Sequence, residues 1–130
     1  MMDVVEAISG FIGLAIGLLC LAAVTHTVRN QTLAGTLRRN HAIGIRTKAT
    51  MASDTAWWAG HRAAAPWMLA AARTGYTTAA VTTALIAAQL ALGETYPLAL
   101  IVPGGGFTAV LAAALLATRR ANRAARATES

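Results

Sequence analysis

The densest group of chemically active side chains in this sequence lies between Asn40 and Arg62. Trp57 and His61 are four residues apart, so they share one face if the segment is helical. Arg46 and His61 carry hydrogen-bond donors that suit an anion, and a tryptophan supplies an apolar wall. The same residues also suit a structural latch, in which Arg46 donates to carbonyl oxygens at a helix end and the tryptophans anchor the segment. The residue types favour the latch over the anion site.

Patterns typical of catalysis or metal binding do not occur in the sequence. It contains neither a nucleophile–base–orienter set nor a metal-ligand spacing such as His-x-x-x-His or Cys-x-x-Cys. We therefore predict no enzyme activity, no catalytic residue, no bound metal and no cofactor. An enzyme or transporter that acts on an anionic lipid or small molecule through Arg46 and His61 is a minor alternative.

The composition is typical of a chain that lies in a membrane. Its 130 residues suffice for one domain, and only 12% of them are charged, against about a quarter in soluble domains. Three windows carry no charge and approach the roughly 20 residues that a spanning helix needs, namely residues 7–25, 74–92 and 98–117. A buried helix of a soluble bundle needs more polar surface than these windows have. We therefore predict an all-α integral membrane protein with three transmembrane helices, at about 5–26, 68–92 and 98–118.

The charged residues are divided unequally between the two ends of the predicted spans. Acidic residues alone flank the spans on one side, and ten of the eleven basic residues lie on the other. The positive-inside rule therefore predicts an outside N-terminus, a cytoplasmic motif loop over residues 29–66 and a cytoplasmic C-terminus. The flanking acidic residues are Asp3, Glu6 and Glu94, and the basic residues are Arg29, Arg38, Arg39, Arg46, Lys48, Arg62, Arg119, Arg120, Arg123 and Arg126.

This segregation favours a lipid bilayer over nucleic acid as the partner of the basic residues. Arg73 is the exception, because it begins the second span, and we expect its head group to reach back to the interface. The excess of arginine over lysine and the many alanines are typical of a GC-rich bacterial genome, so we predict a multi-pass protein of the bacterial inner membrane. A membrane or cytoplasmic protein partner, a homo-oligomer and a place in a larger complex all remain open.

Residues 50–62 are predicted to form a helix on the inner face of the membrane. Thr50 suits the N-cap, and Asp54 lies in the first turn, where the helix dipole favours an anion. The tryptophans of this segment suit the membrane interface. We therefore expect an amphipathic interfacial helix over Thr50–Arg62, separated from the second span near Pro66.

Two glycine patterns predict close helix packing. Gly13 and Gly17 form a Gly-xxx-Gly pair in the first span, which lets a second helix approach, and packing within the chain is favoured over a dimer. A proline and three glycines, Pro103–Gly106, interrupt the third span, so we predict a kink or an unwound turn there. A kink that admits a neighbouring helix is favoured over a binding site built on freed backbone groups.

The 40–62 segment resembles the signature of the SdpI-like family of small bacterial membrane proteins. The family is named after an immunity protein that protects producing cells against a secreted killing peptide. Its signature has an asparagine, a Gly-Ile-Arg-Thr block, a helix-opening threonine, an acidic residue and Trp-x-x-x-His-Arg. This chain departs from it at Arg39, where proline is usual, and at Lys48 and Ala49, where proline and tryptophan are usual. The matching residues are Asn40, Gly44, Ile45, Arg46, Thr47, Thr50, Asp54, Trp57, His61 and Arg62.

The resemblance implies a bacterial membrane protein of immunity or signal-relay type. Such a protein protects against a secreted toxin or engages a protein or lipid partner through its cytoplasmic motif helix, and the founding system also holds a transcriptional repressor at the membrane. The alternative is a non-catalytic accessory subunit of a larger membrane protein complex, in which the same residues serve packing.

Within the motif, we expect Arg46 to donate to backbone carbonyls or to Asp54, because its planar head carries five donors. This contact should tie the turn to the motif helix. Trp57 and His61 should then share one face that is turned toward the spans or the membrane.

Overall fold

A computed structural model describes residues 3–129 of the chain as a bundle of long α-helices. The described part contains no β-strand, which confirms the all-α class. Two short 3-10 helices, Thr50–Ala52 and Pro97–Leu100, precede the second and third long helices. The three long helices are α1 at Val4–Ala34, α2 at Asp54–Leu92 and α3 at Ile101–Ala127.

Each long helix is apolar and long enough to cross a membrane. The 31 residues of α1 extend over about 46 Å and the 39 residues of α2 over about 58 Å, against roughly 30 Å of hydrocarbon. The chain is therefore a multi-pass membrane protein, as the charge-free windows predict. Because α2 is so much longer than the bilayer core, part of it must lie outside the hydrocarbon.

The two ends of the bundle differ in charge. We call the end that carries Asp3, Glu6 and Glu94 the acidic end. The opposite end, where α1 ends, α2 begins and the arginines of α3 lie, is the basic end. Asp3 caps α1 at the acidic end, since its carboxylate accepts a hydrogen bond from the Glu6 amide at 2.8 Å.

Small residues bring α2 close to both of its neighbours. α2 packs against α1 and α3, whereas α1 and α3 contact each other little. A methyl group at Gly75 would lie 2.8 Å from the Ala22 Cβ atom of α1, and one at Gly60 would lie 3.0 Å from the Ala121 carbonyl oxygen of α3. Glycine at both positions therefore allows a backbone approach that alanine would obstruct.

The first helix is longer than the sequence predicts. α1 continues to Ala34, whereas the predicted span ends at 26 and the predicted loop begins at 29. Val28 and Thr32 are buried against the other helices, and the Thr32 hydroxyl donates to the Val28 carbonyl at 2.7 Å. Tertiary packing thus extends the helix through a polar sequence, and Gly35 ends it in the left-handed conformation.

A separate interfacial helix over Thr50–Arg62 is not confirmed. Residues 54–62 are instead the first turns of α2, which runs without interruption through Pro66. Trp57 belongs to a stripe of buried residues that continues along α2. Residues 54–62 and the rest of the helix therefore share a single packed face. Thr50 is not the N-cap, because the Ser53 hydroxyl caps α2 by accepting from the Ala56 amide at 3.0 Å.

The predicted break in the third helix is wrong. Pro103–Gly106 is α-helical throughout. Pro103 is the third residue of α3 and follows a 3-10 turn, a position where its missing N–H removes little regular hydrogen bonding. The expected close approach does occur at one glycine, because a methyl group at Gly106 would overlap Thr78 of α2.

The Gly-xxx-Gly pair of α1 is used only in part. A methyl group at Gly17 would lie 2.8 Å from the Phe107 ring of α3, which confirms packing within the chain at that position. At Gly10 and Gly13 a methyl group would meet no described neighbour within 4 Å. These two glycines therefore stay open on the surface of α1.

Candidate functional site

The loop between α1 and α2 folds into tight turns at the basic end. The Asn40 amide oxygen accepts hydrogen bonds from the Ala42 and Ile43 amides, both at 2.8 Å. Its amide nitrogen donates to the Arg38 carbonyl at 2.8 Å. Asparagine suits this position because its short side chain can replace the backbone partners that a turn lacks.

Gly44 brings this loop against α2. Its φ of +115° lies in a region that favours glycine. A Cβ atom there would lie 2.8 Å from His61 Nε2 and 2.8 Å from the Trp57 ring. Both the backbone conformation and the space therefore require glycine at this position.

His61 holds the loop through one ring nitrogen, and the other ring nitrogen is bonded within α2. Its Nε2 accepts a hydrogen bond from the Ile45 amide at 2.9 Å, and its Nδ1 lies 2.8 Å from the Trp57 carbonyl oxygen. Because a carbonyl only accepts, Nδ1 carries the proton, and the ring is neutral. The side chain is fully buried, and this desolvation lowers its pKa. Neither nitrogen is left to bind a metal or a substrate.

Trp57 anchors the same loop from one helical turn away. Its indole ring is fully buried, and its Nε1 donates to the Leu37 carbonyl at 2.8 Å. The ring centroids of Trp57 and His61 are 4.1 Å apart. The two side chains therefore face the interior of the bundle, as the latch hypothesis predicts, and the Trp57 ring is enclosed by the protein instead of being exposed at its surface.

Two threonines hold the loop together, and one of them, Thr47, also connects it to α3. Thr50 is fully buried, and its hydroxyl donates to the Ile45 carbonyl at 2.6 Å and accepts from the Thr47 amide at 2.9 Å. The Thr47 hydroxyl donates to the side-chain oxygen of Asn122 at 2.5 Å. The loop is thus hydrogen-bonded to α2 through His61 and to α3 through Asn122.

Arg46 plays a smaller part than the sequence predicts. Its Nη1 donates to the His41 carbonyl at 2.6 Å, so the expected backbone acceptor is present. That acceptor belongs to the loop itself, and Asp54 is not the partner. The prediction that Arg46 ties the turn to the motif helix is therefore wrong, since His61 makes that connection. The Arg46 side chain is exposed.

The acidic and basic residues at the start of α2 face outward. Asp54 pairs with Arg39, whose Nε lies 2.9 Å from the carboxylate, and Arg39 Nη1 also donates to the Met51 carbonyl at 2.9 Å. Arg62 is exposed, with no hydrogen bond or ion pair inside residues 3–129. Of the motif residues, Arg62 and the remaining donors of Arg46 are therefore available to a partner.

Sequence reasoning missed three contributors to this site. Arg39 stands where the family signature has proline, and it nevertheless supplies the partner of Asp54. Asn122 is the one uncharged polar residue among the arginines of α3, a weak signal that its role differs from theirs. Leu37 contributes its backbone carbonyl, which no side-chain pattern reveals.

These contacts define what we call the latch, which consists of residues 40–50 together with Trp57 and His61. Its buried polar groups, on Thr50, Trp57 and His61, are hydrogen-bonded within the chain, whereas His41, Arg46 and Lys48 are exposed. A family model of the SdpI/YfhL protein family matches residues 36–118, which include the whole latch, α2 and most of α3. The chain belongs to the SdpI/YfhL protein family.

Membership of the SdpI/YfhL family supports a membrane immunity-type protein at family level. The matched residues begin after α1, so the family resemblance is carried by the latch and the two helices that hold it. No match was found among curated proteins or solved structures.

Proposed function

We propose that this SdpI/YfhL member is a non-catalytic immunity protein, which protects the membrane by binding a secreted, membrane-active toxin within the bilayer. The proposal rests on the family and on one structural observation, the glycines that remain open at the acidic end. Gly10 and Gly13 of α1, and Gly104 and Gly105 of α3, would each accept a methyl group without meeting a described neighbour within 4 Å.

Open glycines suit an incoming helix. Helices associate in lipid mainly through close packing, and small residues permit that approach. Gly17, Gly75 and Gly106 already serve this purpose inside the bundle, since a methyl group at each would contact a neighbouring helix. The open glycines have the same chemistry without a partner inside the chain, so a helical toxin segment fits them.

The orientation of the chain supports this assignment. We propose that the acidic end faces outside and the basic end faces the cytoplasm of a bacterial inner membrane, in accordance with the positive-inside rule. The open glycines then lie in the outer leaflet, which a secreted toxin enters first. Within the latch, the ring nitrogens of His61 and the hydroxyls of Thr47 and Thr50 are hydrogen-bonded within the chain, which favours a non-catalytic function.

A relay partner that binds the motif helix in the cytoplasm fits the structure less well. Trp57 and His61 are fully buried, so such a partner would have to bind the exposed side chains of Arg46, Asp54 and Arg62. We therefore assign the latch a positioning role: it sets the register of α1 and α3 against α2.

A toxin-protection assay tests the proposal. A sensitive strain that expresses the protein is grown beside toxin-producing neighbours, and survival is counted. Gly13→Leu should abolish protection while the protein still reaches the membrane, because leucine blocks the approach without meeting a neighbour in the bundle. Ile12→Phe is the control, since Ile12 is exposed elsewhere on the same helix. Full protection by Gly13→Leu at equal membrane abundance would refute the proposed surface.

An accessory subunit of a larger membrane complex is the second candidate, because the open glycines fit a resident helix equally well. Mild-detergent extraction from native membranes separates the two candidates. A stoichiometric partner that is lost with Gly13→Leu supports the subunit function. A protein that purifies alone and still protects cells supports the immunity function.

A further inference from the structure

A polar groove of about 290 Å³ lies on the surface of α2, and we call it the Arg73 groove. Its lining consists of Arg73, Thr74, Thr77 and Thr78. Arg73 and Thr77 are exposed and four residues apart, so they share the outer face of the helix. Thr78 packs against Gly106 of α3, where a methyl group would overlap its side chain. The groove therefore runs along α2 beside α3 and is open to the surroundings.

The contact between α1 and α2 fixes the depth of this groove in the membrane. The Tyr76 hydroxyl lies 3.1 Å from Nδ1 of His26. His26 directly follows the charge-free window of α1, residues 7–25. Arg73 lies three residues, or about 4.5 Å, nearer the basic end than Tyr76. We therefore place Arg73 at the level of the lipid head groups, where the hydrocarbon ends on the basic side.

The donors of the Arg73 groove lack partners within residues 3–129. Arg73 makes no hydrogen bond or ion pair there. Most threonine hydroxyls of the long helices donate to the carbonyl four residues earlier, as at Thr82 and Thr118. The hydroxyls of Thr74 and Thr77 make no such bond in the described chain. One guanidinium and two hydroxyls are therefore left to donate to a ligand in the same groove.

The surface next to the groove is apolar. Val81, which is 44% exposed, and the exposed Ala84 continue the face of Thr77 toward the acidic end. Acyl chains cover such a face in a bilayer, and unpaired polar groups at its edge are costly. A ligand that satisfies both parts carries acceptor oxygens next to an apolar chain. A phospholipid has this structure, whereas a free phosphate ion lacks the apolar part.

We propose that the Arg73 groove binds the phosphodiester group of a phospholipid from the leaflet at the basic end. The Arg73 guanidinium donates to the phosphate oxygens, which suit its parallel N–H donors. The hydroxyls of Thr74 and Thr77 donate to further oxygens of the phosphate or of the glycerol esters. One acyl chain lies along Val81 and Ala84.

This site goes beyond the proposed immunity function, which rests on the glycines at the other end of the bundle. The two can fail separately. Loss of protection with intact lipid binding would refute only the immunity proposal, and the converse result would refute only the lipid site.

Native mass spectrometry of the purified full-length protein tests the phosphate contact. The wild type should bind phosphatidylglycerol roughly tenfold more tightly than a diacylglycerol with the same acyl chains, because only the first carries a phosphate. Arg73→Gln should remove most of this difference. Arg62→Gln is the matched control, since Arg62 is exposed on the same helix outside the groove, and should bind as the wild type does. Equal binding of the two lipids by the wild type, or equal weakening by the two variants, would overturn the proposal.

The threonine hydroxyls are tested in the same assay. Thr77→Val removes one hydroxyl and should weaken phosphatidylglycerol binding about threefold without changing diacylglycerol binding. Thr83→Val is the control, because Thr83 is exposed on the same helix and its hydroxyl already donates to the Ala79 carbonyl at 2.8 Å. Unchanged binding by Thr77→Val would overturn the hydroxyl contact. Displacement of phosphatidylglycerol by an equal concentration of inorganic phosphate would overturn the lipid as the occupant.

Discussion

The basic and acidic ends of this bundle differ in the contacts that their side chains make. At the basic end, Trp57, His61 and Thr50 are fully buried, and each makes hydrogen bonds within the chain. At the acidic end, large apolar side chains face outward, and Leu98 is 81% and Ile101 71% exposed. The buried motif residues of the basic end are bonded within the chain, whereas the acidic end presents apolar side chains and glycines to the surroundings. The difference teaches that a dense polar motif can serve internal packing, so that it need not be the surface that binds a partner.

The largest expected effect lies at Gly44. Gly44→Ala should lower the stability of the protein in detergent by about 3 kcal/mol, because it combines a strained backbone with a clash against His61 and Trp57. Gly35→Ala is the control, since Gly35 also has positive φ but an open surrounding, and should cost about 1 kcal/mol. Thermal unfolding followed by circular dichroism measures both. Equal losses would mean that the packing around Gly44 contributes nothing.

Lowering the pH should reduce the stability of the folded protein through His61. Burial lowers the pKa of His61 in the folded protein below the ordinary value of 6.5, so below pH 6.5 the unfolded chain binds more protons than the folded one. His61 precedes the predicted span at about 68–92 and lies more than ten residues before the charge-free part of α2. Its contribution to stability should be complete above about pH 6.5 and fall as the pH drops toward the lower folded pKa.

Unfolding midpoints between pH 5 and pH 8 measure this dependence. The slope from one group is at most about 1.4 kcal/mol per pH unit. His61→Gln removes the titrating group and should flatten the profile in this range. A wild-type profile that matches that of His61→Gln would show that His61 does not stabilise the fold as a neutral ring.

Substitution of Arg46 should lower the stability moderately, because its exposed side chain makes a single hydrogen bond. Arg46→Ala should cost about 1 kcal/mol, the typical contribution of one hydrogen bond. Arg46→Lys should cost less, since an ammonium can also donate to the one carbonyl of His41. Thermal unfolding in detergent compares the two variants. A Lys variant as unstable as the Ala variant would imply a second, planar acceptor for the guanidinium.

The smallest effect is expected at the acidic end. Gly105→Ala should leave stability unchanged or raise it by about 0.5 kcal/mol, because alanine favours a helix and its methyl group meets no described neighbour. Gly106→Ala, one position away, should destabilise the protein by contact with Thr78. Comparison of the two unfolding midpoints checks this difference. A clear loss with Gly105→Ala would mean that the acidic end is more tightly packed than its open glycines indicate.

The sequence predicts the helical spans well because they depend on a simple physical requirement. Residues 7–25, 74–92 and 98–117 lack charge; the first two windows lie within α1 and α2, and the third begins in the short 3-10 helix and continues in α3. The ends of these helices depend on tertiary packing instead, which explains why α1 continues to Ala34 and why α2 begins at Asp54. Local polarity predicted a loop where α1 continues to Ala34, and a separate helix where α2 begins at Asp54.

The latch itself was predictable in type but not in detail. The four-residue spacing of Trp57 and His61 predicts a shared face, and their burial follows once that face packs. The bond from Thr47 to Asn122 joins residues 75 positions apart, so no local pattern reveals it. For Arg46 the sequence predicts a backbone acceptor but not which one, because the turn closed by Asn40 decides which carbonyl lies nearby.

The central claim is that His61 is a neutral, internal anchor of the latch, and its imidazole nitrogens report on this directly. Nitrogen-15 NMR of the histidine-labelled, reconstituted protein at neutral pH distinguishes protonated from unprotonated ring nitrogens. We predict a proton on Nδ1 and none on Nε2, with Nε2 shifted by the hydrogen bond from the Ile45 amide. A doubly protonated ring, or a proton on Nε2, would contradict the claim, because neither form can accept from Ile45.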